Sequence, residues 1–369
     1  MTSPTSYTPD FVTPPGDTLA ELLEERKMTQ SELAQRMGRP IKTINEIIHG
    51  KKAITAETAV QLERVLGAPA SFWLSREQRY QEFQARQAAN ESLRSQQEWL
   101  DHFPIKDMQA KGWLPQLSDK SELLLALLQF FGLAAPDNWK DVWSDCLVNY
   151  RKTPAYESSD YALSAWLRQG ERQAQDIVCN PYDEAGFRQL LENQIRALTF
   201  LTPDKFERPL LEMCAAVGVA VALVPQVEGA RVSGATRWLS KDKALLQVSF
   251  RYKFNDQFWF TFFHEAGHIL LHGKRDIFIN AGISEGFEDE ADLDAKEQAA
   301  NRFAADTLIP AEAYADFVRG TRRFSKVAVH RFAEGIGIAP GIVVGRLQFD
   351  GHVPRSHLNG LKQKLAWVE

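Results

Sequence analysis

The chain has 369 residues, 44% of them hydrophobic and 25% charged, a composition that can bury real cores and a length that suggests two or three domains. Its net charge of −5 excludes binding to nucleic acid through overall charge, so any such contact must come from a local patch. Cys146, Cys179 and Cys214 are scattered and form no C-x-x-C, the N-terminus lacks a signal pattern, and the longest apolar block (residues 123–135) is too short to span a bilayer, so a cytoplasmic protein without disulfides or a membrane segment is expected.

Residues 1–16, rich in Pro, Ser and Thr, predict an extended or disordered arm. Residues 17–82 predict five helices. Leu19, Leu22 and Leu23 repeat at helical spacing. Thr29 with Glu32 forms a capping box for a second helix that Gly38 ends. A third helix, RPIKTINEIIHG, turns Ile44, Ile47 and Ile48 inward, a fourth covers residues 55–66, and a fifth begins near Pro69. The second and third helices, joined at residues 38–40, predict a helix-turn-helix whose third helix meets base edges in the major groove. Lys42, Thr43, Asn45 and Glu46 are its polar residues, with Lys42 matched to guanine and Glu46 to a cytosine amino group. Gln30, Arg39, Lys51 and Lys52 flank it and suit phosphate contacts. Between residues 36 and 52 five cations face one carboxylate, a patch that the overall charge conceals.

The segments TQSELAQRMG, INEIIHGKKAIT and APASFWLSREQRYQ make residues 16–80 resemble the Xre/Cro repressor type of helix-turn-helix, in the branch of HigA-type antitoxins. The resemblance implies sequence-specific binding to double-stranded DNA, as a homodimer on a palindromic site. Residues 83–186 predict a polar linker helix and a helical middle region with no metal or nucleophile spacing; Trp139, Trp143 and Trp166 read as core.

From residue 187 the pattern changes to a helix, then strands at 218–224, 234–239 and 245–250, then a helix carrying FWFTFFHEAGHILLHG. Arg237 and Trp238 are candidates for a strand edge beside a substrate cleft. Asn255 or Asp256 can cap the apolar helix. Its polar cluster is the informative part. Buried imidazoles and a carboxylate cost free energy unless paired. His264 and His268, four residues apart, lie on one helix face and can grip one zinc ion, with Glu265 beside them able to take a proton from water.

Catalytic zinc needs a third protein ligand and an open position. His272, eight residues after His264, lies roughly 12 Å along the helix and is too far to share the ion. Lys274 excludes the metzincin pattern. Residues 285–294 read as a solvated acidic loop. The following helix, AKEQAANRFAADTLIP, buries Ala299, Ala300, Phe303, Ala304 and Leu308, and its small residues permit close approach. Glu297 on that helix is the expected third ligand. Asn301, one turn on, is expected to hold His264 or His268 in the right tautomer.

FTFFHEAGHILLHG followed by EQAANRFAADTLIP resembles the ImmA/IrrE family of zinc metallopeptidases, over residues 187–347. Position by position, His264, His268 and Glu297 fall on the family's metal ligands and Glu265 on its catalytic glutamate; Ala299 stands where many members have a second glutamate. The resemblance implies a gluzincin-like fold, a Zn2+ cofactor and a partner repressor with a helix-turn-helix as substrate. The stretch VAVHRFAEGIGIAPGIVVGRLQFDG resembles the small helical segment that follows the zinc helices; within it His330 and Arg346 are candidate donors to the oxyanion. The expected fold is therefore α+β and mostly helical: an all-α helix-turn-helix bundle, a helical middle region, and a zinc peptidase domain with a small sheet at residues 187–369.

Overall fold

The computed structural model describes residues 11–150, 159–251, 253–273, 278–280 and 295–366. The acidic stretch 285–294 lies outside them. The chain divides into two units, residues 1–97 and 98–369.

The first unit is built from α1 (Pro15–Glu25), α2 (Gln30–Met37), α3 (Ile41–Ile48), α4 (Ala56–Leu66) and α5 (Ala70–Arg94). Its core is an apolar set spaced three and four apart: Leu19, Leu23, Leu33, Ile44, Ile47, Leu62, Leu66 and Trp73. Thr29 accepts a hydrogen bond from the Glu32 amide at 3.1 Å, capping α2. Gly38, at φ 64°, ends α2 in the left-handed conformation and makes the short turn into α3. The expected arm ends earlier than the composition suggests. Pro15 and Gly16 are buried and open α1. A Cβ on Gly16 would stand 2.3 Å from the Ile47 carbonyl oxygen, so only glycine lets α1 sit on the end of α3. Helix α5 runs on through residue 82 to Arg94 and buries only Trp73.

The second unit begins with α6 (Ile105–Ala110), α7 (Lys120–Phe131), α8 (Asn138–Tyr150) and α9 (Asp160–Asp176). Trp139 stacks on Tyr161 at 4.1 Å and donates to Ser164 Oγ, and Trp166 is fully buried with its indole N–H on the Val224 carbonyl. Next come α10 (Glu184–Leu190), a π-helical turn (Leu191–Ile195), α11 (Arg196–Leu198) and α12 (Pro203–Ala215). The sheet has the order β1-β3-β2-β4, with β1 (Val219–Leu223) parallel to β3 (Lys243–Val248). β2 (Gly234–Ser240) runs antiparallel to β3 and to β4 (Phe278–Asn280), a short strand that sequence patterning misses. Helix α9 packs on β1 and β3, pinned by Gln247, whose amide donates to the Trp166 carbonyl at 2.7 Å. The sheet is thus covered partly by residues upstream of 187.

Helix α13 (Asn255–Leu271) is apolar on nearly every side and buried on nearly every side, packed between the sheet, α14 (Ala295–Leu308) and α17 (Pro340–Phe349). Asn255 and Asp256 do not cap it, because other groups claim them. Asn255 exchanges two hydrogen bonds with the backbone of Gln363, and Asp256 pairs with Lys362 at 2.6 Å. Helices α15 (Ala311–Gly320) and α16 (Lys326–Ile336) lie between α14 and α17 in the chain. Among the described residues no single helix is long and apolar enough to cross a membrane.

Candidate functional site

One helical turn separates His264 from His268 on α13, and their Nε2 atoms are 3.0 Å apart. Glu297, in the first turn of α14, places its two carboxylate oxygens 3.2 Å from His264 Nε2 and 3.4 Å from His268 Nε2. This approach depends on Gly267. A Cβ there would stand 3.1 Å from the Phe303 ring and 3.3 Å from the Ala300 Cα, so the two helices meet across small residues.

The outer nitrogens of both rings are occupied. His264 Nδ1 lies 2.8 Å from Asn301 Oδ1, and His268 Nδ1 lies 3.1 Å from His272 Nδ1. A ring that donates from Nδ1 presents a bare lone pair at Nε2. Two such lone pairs and a carboxylate converging in a buried space repel one another unless a cation joins them. The donor set, two imidazole nitrogens and one carboxylate within 4.8 Å, therefore fits a metal ion, with a face left for a further ligand. Burial works against charge on Glu297, but the two imidazoles beside it outweigh that and hold its pKa far below the usual carboxylate range. Burial drives the His268 pKa down to about 4. Burial opposes charge on His264 too, and the Glu297 and Glu265 carboxylates outweigh it and raise its pKa.

Glu265 is fully buried beside this cluster. Its Oε2 accepts from the Thr236 hydroxyl at 2.7 Å, while Oε1 has no hydrogen-bond partner among the described residues. A Cβ on Gly234 would stand 2.6 Å from that Oε1. Gly234 and Thr236, two apart on β2, thus form a cradle for the carboxylate, one by having no side chain and one by donating. Burial pushes the Glu265 carboxyl up to about 8, and a cation held by the neighbouring donors would draw it back toward the ionised form that a base requires.

Other candidates are engaged elsewhere. Arg346 donates to Asp350 at 2.7 Å and lies over the Tyr314 ring, and His330 is exposed on α16, so neither is drawn into the cluster. Arg237 pairs with Glu171 at 3.0 Å and Trp238 packs edge-on against Tyr182. The signal for Thr236 and Gly234 was their strand spacing, which does not say which face meets α13.

In the first unit α3 presents Lys42, with a side chain 84% exposed and 3.8 Å from Glu46. Asn45 reaches Gln30 at 3.4 Å across the two helices, and Lys51 and Lys52 are exposed just beyond α3. Two expected contacts change. Thr43 is buried on the core side of α3 beside Ile44. Arg39 turns inward to α4, donating to Gln61 and pairing with Glu57 at 3.1 Å.

Comparison with known proteins agrees with this division. Residues 19–73 match the helix-turn-helix family model, and residues 251–347 match the peptidase family described as the IrrE N-terminal-like domain. The chain therefore carries an N-terminal helix-turn-helix domain and a C-terminal IrrE-like, metallopeptidase-like domain. Over 61 residues it is 34% identical to the uncharacterized HTH-type transcriptional regulator YddM of Escherichia coli K12; the match spans 16% of this chain and 65% of that relative. Among solved structures it is similar to an addiction module antidote protein of the HigA family from Coxiella burnetii (28% identity, TM-score 0.21, 22% of this chain and 91% of the other). It is also similar to the Pseudomonas aeruginosa antitoxin HigA with the higBA promoter (26% identity, TM-score 0.22, 22% and 90%).

Proposed function

We propose that this chain is a cytoplasmic transcriptional regulator that binds operator DNA as a homodimer and carries a zinc-dependent endopeptidase, whose substrate is a partner repressor with a helix-turn-helix or another copy of itself. The helix-turn-helix match, the exposed Lys42, Asn45, Lys51 and Lys52, and the half-buried Gln30 and Glu46 support the DNA reading. The observation that carries the peptidase reading is the carboxylate of Glu265: buried, oriented through one oxygen, and with the other oxygen unpaired among the described residues, beside a three-donor cluster. A site that used metal only for structure needs no such base.

His264, His268 and Glu297 would hold the zinc, and a zinc ion there would supply the Lewis acid that polarises a carbonyl and acidifies water. Glu265 takes a proton from water at Oε1 and hands it to the leaving amine nitrogen. Thr236 keeps the carboxylate aimed by holding Oε2. Asn301 keeps His264 protonated at Nδ1.

Glu265→Gln tests this. The variant is expected to bind zinc and DNA as the wild type does and to lose the cleavage of co-expressed repressors seen by mass spectrometry. Cleavage or regulation that is unaffected by the substitution removes the peptidase reading. It leaves an antitoxin-like repressor whose zinc domain senses or docks.

A further inference from the structure

We propose that His272 is a positioning residue for the metal centre: it accepts a hydrogen bond from Nδ1 of His268 and so decides which nitrogen of that ligand faces the metal. The inference rests on the zinc reading above and adds a residue to it. His272 follows the last residue of α13, yet its backbone N–H still donates to the His268 carbonyl at 3.2 Å, which seats it one turn beyond the ligand. Its ring does not join the donor cluster. Instead His272 Nδ1 meets the far side of the His268 ring, 3.1 Å from Nδ1. Phe278 of β4 fixes both rings from one side, stacked on His268 at 3.9 Å and 15° and tilted against His272 at 5.1 Å.

The two nitrogens of His268 then have opposite duties. Nε2 points at His264 Nε2 and Glu297, where a lone pair is required. Nδ1 must therefore carry the proton, and a buried N–H needs an acceptor. The acceptor the structure gives it is His272 Nδ1, which accepts only when the His272 proton sits on Nε2. His264 is served in the same way by the amide oxygen of Asn301. Without its acceptor, His268 would divide between two tautomers, and the fraction protonated at Nε2 would have to rearrange before binding metal. Partners of this kind are worth 10–100-fold in metal affinity in other sites.

The test uses the full chain, stripped of metal and titrated with zinc against a chromophoric chelator. His272→Leu, which keeps apolar contact with Phe278 and offers no acceptor, is expected to bind zinc about 10–100-fold more weakly. His272→Gln, whose side-chain oxygen can accept, is expected to recover most of that loss. Long-range proton–nitrogen NMR of the zinc-free protein should show His268 protonated at Nδ1 in the wild type and redistributed toward Nε2 in the Leu variant, a change that a packing role would not produce. A folded Leu variant with wild-type zinc affinity overturns the proposal, as does a Gln variant no better than Leu. A wild type that binds no zinc overturns the zinc reading itself, a result distinct from either.

Discussion

Glu265 owes its setting to the strand beneath it as much as to its own helix. Thr236 donates to one carboxylate oxygen, and the absence of a side chain at Gly234 leaves the other one space. A hydrogen bond to a charged group contributes about 1.5–3 kcal/mol, and each 1.36 kcal/mol of barrier is tenfold in rate. Thr236→Val, which keeps the shape and removes the donor, should therefore lower kcat about 10–100-fold with zinc content unchanged, and Thr236→Ser should restore most of it. The check is cleavage of a co-expressed repressor, the proposed activity, compared with the wild type at equal zinc loading; a fully active Val variant would leave Thr236 with no part in holding the base. His264, Glu265 and His268 were legible in the sequence because a helix fixes their mutual placement within one turn. Thr236 was not, because it reaches Glu265 from 29 residues away on a strand whose facing is set only by packing. Thr43, named only as one of the polar residues of α3, lies one turn before Ile47 and is buried with it, a placement that its polarity alone does not announce.

Helices α13 and α14 carry the donor cluster between them, so their separation is a property of the site. Gly267 sets it, with the Ala300 Cα and the Phe303 ring already near contact with the place a Cβ would occupy. Overpacking a tight helix contact costs about 1–3 kcal/mol and is relieved by backbone shifts. Gly267→Val should therefore push α14 outward, carry Glu297 away from the imidazoles, and lower zinc affinity at least about tenfold while the helices still form. Zinc titration beside a circular-dichroism melt separates the two effects; a variant with normal zinc affinity would mean that Glu297 reaches the site without the close approach. The small-residue face of α14 was readable from AKEQAANRFAADTLIP, since its spacing is local. β4 was not, because three residues carry no period, and its place depends on pairing with β2. The start of α1 was hidden similarly: Pro15 and Gly16 look like a tail until α3 lies beneath them.

The two units have separate cores. One is a small all-helical set around Leu19, Ile44, Leu62 and Trp73, and the other is an extended cluster around Phe187, Leu246, Trp259, Phe262 and Val343. The donor cluster belongs wholly to the second, on α13 and α14. A ligand that binds only the folded state stabilises it by about 2.7 kcal/mol at a hundred times its dissociation constant and about 4.1 at a thousand. Removing zinc with a chelator should therefore lower the melting temperature of the second unit and leave that of the first unchanged. Calorimetry of the full chain with and without chelator reads both transitions, and Glu297→Gln should mimic the chelator by weakening the site. DNA affinity of the stripped protein supplies the complementary reading and should stay near the wild-type value, because Lys42, Asn45, Glu46, Lys51 and Lys52 all lie in the unit that carries none of the three donors. If stripping zinc shifted both transitions and abolished the gel shift together, metal binding would be coupled to the DNA-binding unit, and the regulator would have to be understood as one thermodynamic unit.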